Sequence, residues 1–345
     1  MAKTGKKTET FEGMLWQKER NGIRCFVCAR KCFIPRDKRG YCLVRKNVEK
    51  KLLVLNYGKI VNAEPEPMEK LPLFHFYPSK FTFSIASPGS NFAYQPNEIL
   101  QVFKDKEQKI VKGEDWRPEK VVSKAEKEKC VAVSFTATEP TMYFEFAFKT
   151  AKAASRENMK SIMVTNGFMT EDSIKKIAKF MNAAIVNIYA SGDEQFYSNY
   201  MDVKKLDPIF DALRQMKKQR LHLEIANWVI PQIGDNIEQC RKLTQWVSSE
   251  LDSDVPMHIM RFYPDHKFPE LPTTPVATLE KCIEEARKTG LRHVYIGNVP
   301  GHIDENTYCY NCRTLLIERH GFKVKRMNLL VNRCPNCGIR INMVV

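Results

Sequence analysis

The chain has 345 residues and a mass of 40.0 kDa, and 43% of its residues are hydrophobic and 28% charged. This apolar fraction excludes a largely disordered chain, and no apolar run is long enough to cross a bilayer. The net charge of +15 is uneven, because residues 1–60 carry +11, residues 309–345 carry +6 and the stretch between sums to −2. Basic ends on a nearly neutral body predict an anionic partner, of which nucleic acid is the commonest.

The first twenty residues are polar and basic, and we expect a flexible tail there, followed by a cysteine-containing module over residues 21–72. The tail has no apolar signal-peptide core. It also carries Glu9 and Glu12, which mitochondrial transit peptides avoid, so we expect a cytoplasmic protein. The proline-rich residues 64–72 are interpreted as a connector that ends the module.

Short apolar stretches alternate with amphipathic ones over residues 73–304, which is typical of βα units. Strands are predicted at residues 81–86, 130–135, 161–165, 184–189, 221–225, 255–259 and 293–296. Helices are predicted at residues 141–154, 170–180, 206–219, 237–248 and 278–289. The alternation predicts an α/β fold with a parallel sheet, either open or rolled into a barrel. Residues 104–129 are rich in Lys and Glu and are interpreted as a solvated helix or loop.

The clearest single pattern is a pair of Cys-x2-Cys steps near the end of the chain, Cys309 with Cys312 and Cys334 with Cys337. Two thiolates on such a turn can occupy adjacent corners of a tetrahedron, and a second turn completes it. Gly338 permits the close backbone approach that such a turn needs. The residues between the steps are typical of a hairpin, so we predict a structural zinc ribbon over residues 305–345.

A second four-cysteine group consists of Cys25, Cys28, Cys32 and Cys42. Four thiolates close a tetrahedron around zinc, which is the first interpretation. An iron–sulfur cluster also takes four thiolates, and the spacing alone leaves that alternative open. The other three cysteines lie on separate elements and are predicted to be free buried thiols: Cys130, Cys240 and Cys282.

Basic side chains surround both cysteine groups and are placed to face a phosphate backbone. The residues predicted to contact nucleic acid are Arg30, Lys31, Arg36, Lys38, Arg39, Lys323, Lys325 and Arg326. This prediction rests on charge, and its first test is against RNA or a ribosomal particle.

Ordered blocks along most of the chain carry a resemblance to a known family. They include GYCLVRKN (40–47), EKLPLFHFYP (69–78), TATEPT (136–141), VPMHIMRFYP (255–264) and LRHVYIGNVPG (291–301). The chain resembles radical S-adenosylmethionine (SAM) proteins of the AmmeMemoRadiSam type, relatives of pyruvate formate-lyase activating enzymes. The resemblance implies a partial (β/α)6 barrel over residues 73–304, with SAM and a 4Fe–4S cluster at the carboxyl ends of the strands.

One loop departs from the family pattern. The family's cluster loop, roughly GCNFxCxxCQNWEIS, is replaced here by GSNFAYQPNEILQ at residues 89–101, with Ser90 where the first cysteine belongs. One hydroxyl cannot replace three thiolates as an iron ligand. Where the family has Asp-x-Lys on an inner strand, this chain has Asn187-Ile188-Tyr189. We therefore expect SAM and the 4Fe–4S cluster to be absent.

Other positions that the resemblance assigns to the SAM pocket are kept, so we expect a vestigial pocket. With Ser90 they are Thr138, Glu139, Pro140, Thr165, Asn166, Gly167, Ile230 and Pro231. The function expected from the whole sequence is that of a catalytically inactive radical-SAM-like protein that binds RNA or a ribosomal particle, or acts as a scaffold, through its basic, zinc-stabilised ends. The alternatives are an active iron–sulfur enzyme with a non-standard cluster site and, more remotely, a non-radical SAM-dependent enzyme.

Overall fold

The structure, a computed structural model, describes residues 11–94 and 111–345. Its N-terminal module, residues 11–61, consists of small antiparallel sheets. The strands are β1 (Phe11–Glu12), β2 (Trp16–Glu19), β3 (Gly22–Cys25), β4 (Phe33–Pro35), β5 (Arg45–Val48), β6 (Lys51–Val54) and β7 (Lys59–Ile60). Because β1 pairs with β6 and β2 with β3, residues 11–20 belong to the module, and the prediction of a flexible tail there is wrong.

The centre of the molecule is an eight-stranded sheet whose strands lie side by side in chain order. They are β8 (Asn62–Pro67), β9 (Phe81–Ala86), β11 (Ala132–Phe135), β12 (Lys160–Thr165), β13 (Ala183–Tyr189), β14 (His222–Val229), β15 (Met257–Arg261) and β16 (Val294–Gly297), and the short β10 (Glu114–Asp115) pairs instead with β7. Strands β9 and β11–β16 run parallel, and β8 is antiparallel to β9. Among the described residues the edge strands β8 and β16 do not pair, so the barrel is partial.

Within residues 11–94 and 111–345, six helices of seven or more residues cover one face of the sheet, one in each connection between successive parallel strands. They are α1 (Pro118–Lys127), α2 (Phe144–Arg156), α3 (Glu171–Ile177), α4 (Asp207–Lys218), α5 (Ile237–Trp246) and α6 (Val276–Lys288). Side-chain caps fix two of the starts: Thr170 Oγ1 accepts the Ser173 amide before α3, and Asn236 Oδ1 accepts the Gln239 amide before α5. Phe83 of β9 packs in the core on the helix side of the sheet.

The other face of the sheet encloses residues 68–77, here named the interior segment. Met68, Leu71, Leu73 and Phe76 pack there with small and aliphatic residues of the strands. The prediction of a proline-rich connector at residues 64–72 is therefore wrong. The first half of this stretch is the edge strand β8, and the second half fills the barrel. Prolines are tolerated in β8 because an edge strand needs fewer amide donors.

The C-terminal ribbon, residues 305–345, is a three-stranded sheet of β17 (Thr307–Tyr308), β18 (Leu315–His320) and β19 (Lys323–Met327). It packs against the interior segment, because the Val344 amide donates to the His75 carbonyl at 2.8 Å and the Tyr77 amide donates to the Val344 carbonyl at 2.7 Å. The ribbon therefore closes the amino-terminal end of the barrel, and the opposite end, where the parallel strands finish, is the barrel mouth.

The predicted α/β class, the parallel βα units and the hairpin between the C-terminal cysteine steps are confirmed by this architecture. Within residues 104–129, helix α1 covers 118–127, and residues 104–110 lie outside the described residues. No helix in the described ranges combines the length and apolarity that a bilayer crossing requires.

Candidate functional site

Residues 89–94, here named the mouth loop, follow β9 at the carboxyl end of the sheet. Ser90 Oγ donates a hydrogen bond to the Phe92 carbonyl at 2.8 Å and accepts one from the Phe92 amide at 3.1 Å. The hydroxyl is therefore committed to the turn of its own loop. No residue from 87 to 110 is a cysteine, so this region lacks the thiolates of a 4Fe–4S cluster and does not fit that group.

Neighbouring segments hold the mouth loop from two sides. Asn91 Oδ1 accepts from Asn166 Nδ2 at 2.7 Å, and the Asn91 carbonyl accepts from Arg30 Nε at 2.6 Å. At the end of the loop, the buried Tyr94 donates its hydroxyl proton to the carboxylate of Asp265. The polar groups of Ser90, Asn91 and Tyr94 are thus bonded within the protein.

Glu139 lies at the mouth, just after β11, and is fully enclosed. Its carboxylate accepts the Asn166 amide and the Thr165 hydroxyl, both at 2.8 Å, and the Thr141 amide at 3.1 Å. Burial raises the pKa of Glu139, and the hydrogen bonds from Asn166 and Thr141 lower it only in part. The carboxylate therefore joins the segments that follow β11 and β12, and its acceptor sites are largely used.

A cavity of about 200 Å³ lies between the interior segment and the strand ends. Of the predicted pocket residues, Thr138, Glu139, Thr165 and Asn166 line it, whereas Ser90, Pro140, Gly167, Ile230 and Pro231 do not.

Among the lining residues that were not predicted as pocket members, three lie on β13 and β14: Asn187, Tyr189 and Trp228. Trp228 Nε1 donates to Asn187 Oδ1 at 3.1 Å across two neighbouring strands. Asn187 and Tyr189 were noted only as departures from the family's Asp-x-Lys. The alternation of β13, which places residues 187 and 189 on one face, was the signal that could have assigned them to the pocket.

A second polar cluster lies near the amino-terminal end of the barrel. Glu224 accepts four hydrogen bonds, from His222 at 3.0 Å, His258 at 2.7 Å, and the amides of Phe74 and His75. Burial alone raises the pKa of Glu224, yet the bonds from His222 and His258 hold it well below its ordinary value. His75 and His258 are fully buried, and this cluster anchors the interior segment.

The four cysteines of the ribbon are drawn together. Their sulfur atoms all lie within 4.8 Å of one another, with Cys309 to Cys337 at 3.6 Å and Cys312 to Cys334 at 3.5 Å. Hydrogen bonds from Thr314 lower the pKa of Cys312 to about 5, which favours a thiolate. The arrangement fits one tetrahedral metal ion.

The four cysteines of the N-terminal module also meet, around one closed cavity that Asn91 of the mouth loop lines as well: Cys25, Cys28, Cys32 and Cys42. Among the described residues, only the ribbon has a cysteine group whose sulfur atoms all lie within 4.8 Å of one another. The sulfur atoms of the module therefore lie farther apart. Burial raises the pKa of Cys42 to about 11 and also raises those of Cys25 and Cys28. Burial therefore disfavours the thiolate form of these three side chains.

The predicted nucleic-acid residues fall into two patches at opposite ends of the barrel. Lys31, Arg36 and Lys38 are exposed on the module, and Lys323, Lys325 and Arg326 are exposed on the ribbon. Arg39 is half-buried and donates to the Leu43 carbonyl. Arg30 bonds the carbonyls of Asn91 and Asp202 and stacks on Tyr41, so its guanidinium is used within the protein.

Comparison with known proteins agrees with this fold. The model of the radical SAM superfamily matches residues 92–246. The chain is 37% identical over 339 residues to an uncharacterized protein of Methanocaldococcus jannaschii, MJ0808, covering 97% of this chain and 99% of that protein.

A solved structure of low sequence identity has a similar fold. A radical SAM methyltransferase from Sphaerobacter thermophilus is 13% identical, covers 70% of this chain and 71% of its own, and superposes with a TM-score of 0.51. A domain of a pyruvate-formate lyase-activating enzyme from Bacteroides vulgatus is 15% identical and covers 48% of this chain and 99% of its own, with a TM-score of 0.42. The family match identifies a radical SAM superfamily domain at residues 92–246 of the chain.

Proposed function

We propose that this protein is a radical SAM barrel that does not cleave SAM and that serves as a binding protein for an anionic macromolecule. The observation that carries the proposal is the mouth loop, which has no thiolate and whose Ser90 hydroxyl is bonded to Phe92. Reductive cleavage of SAM requires iron held at that place, and the residues present do not supply its ligands. Within the superfamily we assign the chain to the AmmeMemoRadiSam type on its ordered sequence blocks.

The ribbon contributes a structural zinc site in this proposal. Four cysteine sulfurs within 4.8 Å suit zinc, and a site with four protein ligands leaves no position open for catalysis. Because the ribbon packs against the interior segment, zinc binding there also stabilises the closed end of the barrel. The cysteines are unpaired throughout the described chain, which suits a reducing compartment, and we place the protein in the cytoplasm.

RNA is the partner class that the surface favours. The ribbon patch combines Lys323, Lys325 and Arg326 with two exposed apolar side chains, Phe322 at 50% and Met327 at 48% exposure. Cations beside an exposed aromatic ring suit a single-stranded nucleic acid, whose phosphates pair with the cations and whose bases stack. A partner that touches both basic patches must span the barrel, which is the reason to include ribosomal particles in the test.

A second candidate is an active iron–sulfur enzyme with its cluster in the N-terminal module. The observation in its favour is that the cysteine-lined cavity of the module borders the mouth loop at Asn91. Formation of 5′-deoxyadenosine from SAM under anaerobic reducing conditions would favour this candidate over the binding protein.

Binding of the purified protein to single-stranded RNA, measured at increasing salt, tests the proposal. We expect the affinity to fall as salt rises, and replacement of Lys323, Lys325 and Arg326 by Gln to reduce the slope of log affinity against log salt by roughly 2. A matched control replaces Lys124 and Lys127, which are exposed on α1, and should leave the slope unchanged. Absent binding, or binding that is indifferent to salt, would contradict an RNA-binding role.

A further inference from the structure

The cysteines of the N-terminal module are presented by the turns of one small sheet. Cys25 ends β3, and its amide donates to the Cys32 carbonyl at 3.0 Å, which pairs the two segments across the turn. Cys28 lies within that turn and bridges to Met169, next to the barrel mouth. Cys42 lies in the turn before β5. The backbone thus directs four thiols at a common cavity from different sides.

The distances between the sulfur atoms of the module differ from those that one bound zinc ion requires. Zinc bound at about 2.3 Å to each of four thiolates sets the sulfurs about 3.8 Å apart. The ribbon cysteines, at 3.5 and 3.6 Å for two pairs, have this spacing without any ion. Among the residues that the structure describes, no three ligands of the module come within 4.8 Å of one another, and the space between the sulfurs admits a sphere of about the size of a water molecule. The cavity is therefore larger than a single ion requires.

A buried cation faces the same cavity. Arg45 is 2% exposed and forms a two-point ion pair with Glu145, at 2.9 and 2.8 Å. Its Nε–H has no hydrogen-bond partner although it is buried. A buried donor without a partner is costly, and Arg45 is one of the residues that line the cavity. A metal–thiolate group with acceptor sulfurs would supply a partner for this Nε–H.

We propose that Cys25, Cys28, Cys32 and Cys42 bind a 4Fe–4S cluster and that the zinc of this protein is confined to the ribbon. A four-iron cube separates its cysteine sulfurs more widely than one zinc ion does, in keeping with the spacing observed. All four irons would have protein ligands, so none is left open for SAM. The site is independent of the RNA-binding proposal and compatible with the absence of radical chemistry.

Metal and sulfide analysis of the full-length protein, purified anaerobically, tests the inference. We expect about one zinc, four irons and four acid-labile sulfides per chain, with broad absorption near ~400 nm that bleaches on reduction. Two zinc ions per chain and no iron would overturn the proposal. This measurement on the unmodified protein decides the matter even where a variant fails to fold.

Three serine variants locate each metal. Cys28→Ser should lose the iron, its sulfide and the visible absorption while keeping the zinc, and Cys312→Ser should do the opposite. Cys130→Ser, a buried cysteine outside both groups, should retain both metals. Iron that persists in full in Cys28→Ser would also overturn the assignment.

Discussion

The two four-cysteine groups occupy opposite ends of the barrel and are built differently. In the ribbon the sulfurs lie within 4.8 Å of one another, and Cys337 is exposed to solvent. In the module the cysteines are spread around a closed cavity next to the mouth loop, and Cys25 and Cys28 are buried. Both groups begin with the same Cys-x2-Cys step. Ligand type and local spacing therefore predict that a metal binds, whereas the distance between the paired segments determines which metal fits.

Each end also contains a buried arginine, and the two arginines are held differently. Arg45 of the module forms a two-point pair with Glu145 of α2. Arg319 of the ribbon approaches Glu69 only at 3.7 Å and is held mainly by the Phe74 carbonyl at 3.0 Å and the Thr307 hydroxyl at 2.7 Å. The guanidinium of Arg45 is thus held by a two-point ion pair, whereas that of Arg319 is held mainly by neutral oxygen acceptors.

The largest effect is expected from loss of the ribbon metal. Cys334→Ser removes a buried ligand, and structural zinc supplies apparent folding free energies of roughly 10 kcal/mol or more in small domains. We expect the ribbon to unfold, the barrel to lose its closed end, and the free energy of unfolding to fall by several kcal/mol. Thermal unfolding followed by circular dichroism measures this, with Cys282→Ser, a buried cysteine outside both groups, as the control. An unchanged unfolding temperature in Cys334→Ser would show that the ribbon does not stabilise the barrel.

The next largest effect on stability is expected at the two buried arginines, and its size should differ between Arg45 and Arg319. Arg45→Met leaves Glu145 charged and buried without its partner, which typically costs about 3–5 kcal/mol. Glu69→Gln at the ribbon end should cost about 1 kcal/mol, because Arg319 keeps its carbonyl and hydroxyl acceptors. Urea unfolding gives both values, and the double variant Arg45→Met/Glu145→Leu should recover part of the loss. Equal costs for the two single variants would contradict the contrast between the ends.

A smaller effect is expected from acid, and it should act at the ribbon end first. Burial lowers the pKa of His293 to about 4 and lowers that of His75 as well, and both rings lie beside the ribbon. In the unfolded chain these histidines take up protons below about pH 6.5, so stability is complete above that pH and falls as pH drops toward 4. Protonation of His293 in the unfolded chain therefore weakens the folded state progressively as pH falls from about 6.5 toward 4.

Glu224 adds to this loss only at lower pH. Its pKa is depressed in the folded state, so its contribution is complete above about 4.5 and is lost as pH falls below that value. Urea midpoints measured from pH 8 to pH 4 test the histidine contribution, and His293→Phe should flatten the profile. A midpoint that stays constant over this range in the unmodified protein would contradict the assignment.

Much of the barrel could be predicted because its elements are locally periodic. Strand β9 was placed at its observed bounds, and the other parallel strands were placed within a few residues, since apolar runs alternate with amphipathic helices. The interior segment could not be predicted in this way. Residues such as Pro65 and Pro72 resemble a linker, and only contact with distant strands shows that this stretch pairs as β8 and then fills the barrel.

The residues of the candidate site likewise fall into those that a short motif predicts and those that only contacts between distant parts of the chain reveal. Ser90 and the ribbon cysteines were identified because their meaning is contained in a short motif. The contact of Trp228 with Asn187, the four bonds to Glu224 and the use of Arg30 within the protein depend on residues far apart in the chain. Charge alone placed Arg30 at a nucleic-acid surface, and it could not show that backbone carbonyls already bind the guanidinium.

The central claim is that the barrel mouth no longer supports radical chemistry, and its most direct test is SAM cleavage. The protein, purified anaerobically with its full metal content, is incubated with SAM and dithionite, and 5′-deoxyadenosine is quantified by chromatography. We expect no product above a reaction without protein, and none from Ser90→Cys, because one added thiol does not provide three ligands. Formation of 5′-deoxyadenosine by the unmodified protein in proportion to its iron content would contradict the account.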